Sequence, residues 1–142
     1  MATVRVANAH WEGSLMEGAG RVSLDSSGLG VFDVTWADRT EDPKDRTSPE
    51  ELIAAAHSTC FSMALSHALA QAGHTARRID TRAEVSFQPG AGITGIVLVV
   101  RAEVPGITAE QFAEFAEGAR TGCPVSQALR ATPITLHAEL IA

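Results

Sequence analysis

The sequence predicts an α+β fold with mainly antiparallel strands. Three observations predict it. Short stretches of alternating apolar and polar residues occur near both ends of the chain, and one long alanine-rich stretch with helix-start and helix-stop residues lies between them. Two shorter helical stretches precede the last alternating one. The chain has 142 residues, so we expect a single domain over residues 1–142.

The first third of the chain alternates in the manner of β structure. Gly and Ser residues separate three predicted strands, at residues 4–6, 21–25 and 31–36. Trp36 is expected to share a face of the third strand with Phe32 and Val34. A polar loop with seven charged side chains follows at residues 37–47. Loops of this length in a compact domain are often functional.

A long helix is predicted at about residues 49–72. Ser48 is a favourable N-cap, Pro49 fits the first helical position, and Glu51 completes a capping box. Gly73 is a natural stop. The helix is apolar on several faces, which is typical of a buried helix. Since one small chain offers little to cover all of them, we expect a partner subunit.

The remainder of the chain alternates between strands and helices. Thr108 and Gln111 predict a second capping box, and Pro124 fits the first position of a short helix after Cys123. The predicted elements are strands at 81–87 and 96–104, a second helix at about 109–121, a short helix at 125–130 and a last strand at 134–140.

Composition narrows the classes of function. The 11 basic and 17 acidic residues give a net charge of −6, which disfavours nucleic acid or an anionic membrane as partner. Uninterrupted apolar stretches fall far short of the ~20 residues that span a bilayer. The first 11 residues lack the apolar core of a signal peptide. We therefore expect a cytoplasmic protein without a membrane partner.

Two cysteines, Cys60 and Cys123, offer the most reactive side chains, and they are either buried small apolar residues or reactive thiols. The partial positive charge at a helix N-terminus favours a thiolate at Cys123. Cys60, about 11 residues into the long helix, receives no such help and would need a cation. Arg39, in the polar loop, is a candidate. On this reasoning alone Cys123 is the favoured nucleophile.

Two other site chemistries are weaker. His57, Cys60 and Cys123 could supply three metal ligands, but the sequence has no closely spaced ligand pair of zinc type. A serine hydrolase would need a G-x-S-x-G turn, which is absent from the sequence. The chain also contains no metal, flavin or haem motif, so we expect no cofactor.

Three motifs make the chain recognisable. Residues 48–64 (SPEELIAAAHSTCFSMA), 122–129 (GCPVSQAL) and 9–13 (AHWEG) resemble the osmotically inducible protein C (OsmC) and organic hydroperoxide resistance (Ohr) family. Together with the order of strands and helices, the resemblance covers essentially the whole chain. His57, the opening motif and the turn at 104–107 are closer to the OsmC branch.

The resemblance implies an intertwined homodimer and a thiol-dependent peroxidase that acts in the stress response. Cys60 would attack the peroxide and Cys123 would resolve the resulting sulfenic acid as a disulfide, which reverses the preference stated above. Glu50 and an arginine would complete the site. Arg39 is the best match, and Arg21 and Arg46 remain alternatives. Organic hydroperoxides, and also hydrogen peroxide, would be substrates.

The family's reductants imply a dithiol, with a dihydrolipoyl protein as one candidate. Two other readings remain open: a non-catalytic redox sensor that uses the same cysteine pair, and a metal- or ligand-binding protein. The sensor would be oxidised once and stoichiometrically, whereas the enzyme would turn over repeatedly.

The spacing of Glu50 and Cys60 bears on how a site would be assembled. Ten residues of helix correspond to ~15 Å along the axis and ~80° around it. An arginine that contacts Glu50 could not comfortably reach Cys60 on the same helix. Residues 54–59 contain no Pro or Gly to break that helix. We therefore expect Arg39 and Glu50 to serve Cys60 of a partner subunit.

Overall fold

The computed structural model describes residues 1–141 and has the α+β architecture that the sequence predicts. The described chain forms two compact units, one from Met1 to Leu52 and one from Ile53 onward. The expectation of a single domain over residues 1–142 stays a prediction. In chain order the elements are β1 (Asn8–Glu12), β2 (Ala19–Ser23), β3 (Val31–Val34), α1 (Trp36–Thr40), α2 (Pro49–Gln71), β4 (Arg78–Gln88), β5 (Gly92–Glu103), α3 (Ala109–Gly122), α4 (Pro124–Ala128) and β6 (Ile134–Leu140).

The N-terminal unit contains an antiparallel sheet in the order β1-β2-β3. The prediction that the first strand includes residues 4–6 is wrong, because β1 begins at Asn8 and Val4 is exposed. The chain turns directly after β2, where the Gly28 N–H donates to the Leu24 carbonyl. Beyond that turn, the Ser26 N–H donates to the Val6 carbonyl at 3.0 Å and the Val6 N–H donates to the Ser26 hydroxyl at 2.5 Å, but residues 4–6 form no strand.

A helix that the sequence analysis missed, α1, follows β3. Trp36 is its first residue, so the prediction that Trp36 ends the third strand is wrong. Thr35 is the N-cap, and its hydroxyl oxygen accepts a hydrogen bond from the Asp38 N–H at 3.3 Å. This capping interaction ends the strand and shortens the polar loop. It also places Arg39 in the last turn of the helix.

The C-terminal unit contains a sheet in the order β4-β5-β6. The first two strands form a long antiparallel hairpin, whereas β6 pairs with β5 in parallel, from Ile96↔Ile134 to Ala102↔Leu140. A parallel pair needs a crossover connection, and α3 and α4 supply it. Apolar side chains of α2, β5 and α3 form the core, with Phe61, Leu98 and Phe112 essentially inaccessible to solvent.

Helix α2 runs unbroken from Pro49 to Gln71. Ser48 caps it by accepting from the Glu51 N–H at 3.1 Å, while the Glu51 carboxylate accepts from the Thr47 hydroxyl at 2.6 Å. By length and composition alone, the helix is long and apolar enough to cross a membrane. Core helices of globular proteins meet the same criterion, and this one buries a stripe with a four-residue spacing: His57, Phe61, Leu65 and Leu69.

Candidate active site

The two cysteines meet in the C-terminal unit. Cys60 is half-buried in the middle of α2, and Cys123 is fully buried immediately before α4. Both are free thiols, and their Sγ atoms lie 2.8 Å apart. A disulfide has an S–S distance of about 2.05 Å, so the two sulfurs need only a small approach to form one. The fold thus joins two motifs that are 63 residues apart in sequence.

The surroundings of Cys60 in its own unit favour the thiol over the thiolate. Burial, and next the hydrogen bond with Cys123, raise the pKa of Cys60, and the backbone N–H of Val125 opposes that rise by donating to the sulfur. The net direction is upward. A thiol in this setting needs a nearby positive charge if it is to ionise near neutral pH.

A second pair of side chains links the same two helices. His57 Nε2 and Ser126 Oγ are 2.7 Å apart, and both residues are buried. Burial lowers the pKa of His57 and so favours the neutral imidazole. The sequence analysis weighed His57 as a metal ligand and as part of the family resemblance, and it assigned no role to Ser126. The available signal was their spacing, since His57 precedes Cys60 by three residues and Ser126 follows Cys123 by three.

The N-terminal unit holds a charged pair. Arg39 donates to Glu50 in a bidentate arrangement, with Nε 2.9 Å from Oε1 and Nη2 3.0 Å from Oε2. Glu50 is buried, and the Arg39 guanidinium also lies 5.9 Å from the ring centroid of Trp36. Such pairing fixes the plane of the guanidinium. The two alternative arginines are placed differently: Arg46 lies 3.8 Å from the Asp38 carboxylate, and Arg21 is on β2.

The Arg39 side chain lines a pocket of about 430 Å³ within the N-terminal unit. The other lining residues are mostly apolar, and they are Ala9, Trp11, Leu15, Val22, Val34, Thr35, Trp36, Pro49 and Leu52. A small molecule in this pocket would meet an apolar surface with one cationic group at its edge. That combination suits a ligand with a hydrocarbon body and a polar, electron-rich end.

The structure therefore brings the predicted residues together as two pairs, Cys60 with Cys123 and Arg39 with Glu50, in different compact units. Within residues 1–141, no three His, Cys, Asp or Glu side chains are clustered so that they could hold a metal ion. In particular, Nε2 of His57 is engaged by Ser126.

The chain is similar to proteins of known family over its whole length. A sequence profile described as "OsmC-like protein" matches residues 42–137. A relative in Escherichia coli (strain K12), named peroxiredoxin OsmC, is 46% identical over 143 residues, which is 99% of each chain. An organic hydroperoxide resistance protein of Xanthomonas axonopodis pv. citri (strain 306) is 33% identical over 92 residues, 61% of each chain.

Solved structures agree with these sequence relationships. An organic hydroperoxide resistance protein of Elizabethkingia anophelis is 27% identical and superposes with a TM-score of 0.68, covering 99% of this chain and 98% of that one. A protein of Legionella pneumophila, at 22% identity, shares the fold with a TM-score of 0.72 and covers 100% and 99% of the two chains.

Proposed function

The chain belongs to the OsmC-like protein family and is a cysteine-based peroxidase, and on that premise we propose that it reduces organic hydroperoxides through Cys60 and Cys123. The observation that carries the proposal is the pair of free thiols 2.8 Å apart. The 46% identical relative is named a peroxiredoxin, and a second relative is named for resistance to organic hydroperoxides. Antioxidant defence under stress is the corresponding role in the cell.

The first step is attack by the Cys60 thiolate on the peroxide. The thiolate sulfur bonds to the terminal oxygen of ROOH, the O–O bond breaks, and the alkoxide leaves and takes up a proton as ROH. Cys60 becomes a sulfenic acid, the first stage of thiol oxidation. Cys60 is half-buried rather than inaccessible, whereas Cys123 is fully buried, which favours Cys60 as the attacking group.

The second step joins the two cysteines. The Cys123 sulfur attacks the Cys60 sulfur, the S–O bond breaks, and hydroxide leaves with the thiol proton as water. An external dithiol then reduces the disulfide by exchange and is itself oxidised. A dihydrolipoyl protein is one such dithiol. A cytoplasmic location suits this cycle, because that compartment keeps thiols reduced.

Arg39 supplies the cation that Cys60 lacks in its own unit. Its charge would lower the pKa of Cys60 and offset the effect of burial. Glu50 holds the guanidinium by two hydrogen bonds, so that Arg39 reaches the thiolate in a fixed orientation. A catalytic role for Arg21 or Arg46 is less well supported, since neither is the residue paired with Glu50.

We further propose that the working unit is an intertwined homodimer in which Arg39 and Glu50 of one subunit serve Cys60 of the other. Helix α2 is unbroken, so Glu50 and Cys60 are separated by ~15 Å along its axis. Only a narrow stripe of this apolar helix is buried, and Met63 is 67% exposed. A second copy of the chain would cover the remaining apolar surface.

The apolar pocket beside Arg39 indicates the class of peroxide. Moving the alkyl or aryl group of an organic hydroperoxide from water onto such a surface stabilises the complex by about 25 cal/mol per Å² buried. Hydrogen peroxide has no such group. We expect organic hydroperoxides to be preferred, with hydrogen peroxide a poorer substrate.

A steady-state assay with dihydrolipoamide as reductant tests the proposal. Cumene hydroperoxide and tert-butyl hydroperoxide are compared with hydrogen peroxide at equal concentrations. Repeated turnover with a higher kcat/KM for the organic peroxides supports the proposal. One stoichiometric oxidation of the thiol pair, with no further consumption of peroxide, would instead identify a redox sensor.

A further inference from the structure

His57 is an unusual residue in the buried stripe of α2. The other members of the stripe are Phe61, Leu65 and Leu69, and an apolar side chain at position 57 would extend the core. His57 instead places two ring nitrogens in a fully buried position, and within residues 1–141 its Nδ1 has no hydrogen-bond partner. A half-satisfied buried polar group is costly, and such groups are concentrated where function requires them. The peroxidase steps above do not use His57.

The geometry around His57 shows what the residue holds. Its Nε2 contacts Ser126 Oγ at 2.7 Å, and Ser126 is the third residue of α4. The residue before it, Val125, donates its backbone N–H to the Cys60 sulfur. Cys123, which precedes the helix, places its Sγ 2.8 Å from the same sulfur. Thus α4 and the residue that precedes it each contact Cys60, and His57 ties that helix to α2 one turn before Cys60.

Helix α4 follows α3 directly and packs against it, so its position on α2 depends on other contacts. It is five residues long, and the Cys123 side chain makes no capping hydrogen bond. Isolated helices of this length are unstable in water, so contacts from outside the helix must hold it. The His57–Ser126 bond is buried and joins residues 69 positions apart. It is well placed to keep the start of α4 against Cys60.

We propose that the His57–Ser126 hydrogen bond is a positioning contact that docks α4 on α2 and thereby sets the rate at which Cys123 resolves oxidised Cys60. The peroxide step of this proposal rests on the proposed function. The chemistry at the sulfurs is unchanged: Cys123 displaces hydroxide from the sulfenic acid and the disulfide forms. The bond acts by keeping the Cys123 sulfur near its target, which raises the effective concentration of one thiol at the other.

Three variants of the pair test the proposal. Ser126→Ala removes the hydroxyl with the smallest change in volume, and His57→Leu replaces the ring by an apolar side chain. His57→Gln retains an amide nitrogen that can still donate to Ser126. Single-turnover kinetics with cumene hydroperoxide separate sulfenic acid formation from disulfide formation. We expect disulfide formation to slow by about tenfold or more in the first two variants, and His57→Gln to recover part of the loss.

Two further readouts follow from the geometry. Slower resolution leaves the sulfenic acid exposed to a second peroxide, so sulfinic acid at Cys60 should increase by mass spectrometry. Loss of the Val125 N–H contact should move the pH profile of peroxide attack to higher pH. The rate at the alkaline plateau should stay within about twofold, because all of Cys60 is then ionised.

A matched control is available on the same helix. Ser62 donates to Thr81 Oγ1 at 2.7 Å, a side-chain bond as short as the His57–Ser126 contact but directed to β4. Ser62→Ala should therefore leave the rate of disulfide formation unchanged. The double variant with both His57→Leu and Ser126→Ala leaves no unpaired polar group, so it should regain thermal stability relative to Ser126→Ala while disulfide formation stays slow.

An equilibrium measurement makes the inference independent of peroxide chemistry. In buffers of reduced and oxidised glutathione, the equilibrium constant for the Cys60–Cys123 disulfide should fall about tenfold in Ser126→Ala, a shift of about 30 mV. This result can be obtained even if the protein does not reduce peroxides. Unchanged disulfide formation and an unchanged glutathione equilibrium in folded Ser126→Ala would overturn the inference. The inference would also be overturned if Ser62→Ala lowered the rate of disulfide formation and the glutathione equilibrium constant as much as Ser126→Ala does.

Discussion

The charged pair of the N-terminal unit and the thiol pair of the C-terminal unit are built in opposite ways. Arg39 and Glu50 are 11 residues apart, and a short helix, a loop and one helix start bring them together. Cys60 and Cys123 are 63 residues apart and meet only through the packing of α2 and α4. The first pair has charge without a nucleophile, and the second has nucleophiles whose surroundings disfavour charge.

Under the proposed function, each unit supplies one part of the catalyst. The thiol pair is placed for disulfide formation, but burial raises the pKa of Cys60. The guanidinium of Arg39 is oriented by Glu50 and stands beside an apolar pocket. Peroxide reduction needs both features at one place. The predictions below remove them one at a time.

Cys60→Ser should have the largest effect and reduce peroxide consumption to background. The other thiol, Cys123, is fully buried and so cannot take over the attack on the peroxide. Cys123→Ser should still allow one oxidation of Cys60 but no cycling with dithiol. Peroxide consumed per subunit, measured with and without dihydrolipoamide, distinguishes the two variants. If Cys123→Ser lost the first turnover while Cys60→Ser kept it, the assigned roles would be reversed.

Arg39→Ala should lower kcat/KM at neutral pH by roughly 10²–10³, the usual cost of removing a charged group that stabilises a reacting centre. The pKa of Cys60, followed by thiolate absorbance, should rise. Arg46→Ala is the matched control, since Arg46 is a nearby arginine whose partner is Asp38 at 3.8 Å. An unchanged thiolate titration in Arg39→Ala, with a shifted one in Arg46→Ala, would transfer the role to Arg46.

Glu50→Gln should have a smaller effect, about a tenfold loss in kcat/KM, since the amide oxygen still accepts one hydrogen bond from Arg39 and the loss lies at the low end of the about 1.5–3 kcal/mol of a charge-assisted hydrogen bond. The guanidinium keeps its charge but loses part of its orientation. Glu51→Gln provides the comparison, because Glu51 is exposed and contacts Thr47. Equal losses in both variants would mean that the effect arises from charge at the helix start rather than from the Arg39 contact.

The smallest expected effect concerns pH and stability. Burial lowers the pKa of His57 below its usual 6.5, so the unfolded chain binds more protons than the folded chain once the pH falls below 6.5. Folding stability is therefore fully present above that pH and falls below it, by at most about 1.4 kcal/mol per pH unit for this group. Urea unfolding at pH 7.5 and 5.5 measures the slope.

The variant with both His57→Leu and Ser126→Ala should show a smaller loss of stability between these two pH values. His67 is exposed and serves as the control, so His67→Leu should retain the slope of the unmodified protein. A slope that is the same in all three proteins would show that His57 does not titrate with folding.

The elements that the sequence predicts well are those with a clear start and stop. Helix α3 has the full capping box of Thr108 and Gln111, and α2 begins at Pro49 as expected. Helix α1 was missed although Thr35 and Asp38 have the spacing of a capping pair, because the apolar alternation of β3 continues into Trp36. At Trp36 the capping interaction of Thr35 with Asp38 determines that the chain is helical, although the apolar alternation predicts a strand.

Contacts between distant segments lie beyond what local patterns can predict. The parallel pairing of β5 with β6 depends on the crossover through α3 and α4. The Val125 N–H at Cys60 and the His57–Ser126 bond depend on how α4 lies against α2. Residue types alone marked His57 as a candidate metal ligand. Its actual partner is a serine 69 positions away, and the only sequence signal for the pair is that each residue lies three positions from a cysteine of the thiol pair.

Mixing two inactive variants tests most directly the claim that one subunit's charged pair serves the other's thiols. Cys60→Ser and Arg39→Ala chains are unfolded together, refolded at equal concentration and assayed for reduction of cumene hydroperoxide, with heterodimers confirmed by mass. If sites are shared, one site of two is intact in the half of the dimers that are mixed, so about a quarter of the unmodified activity should return. Activity no higher than that of the separate variants, with heterodimers present, would show that each site is built from a single chain.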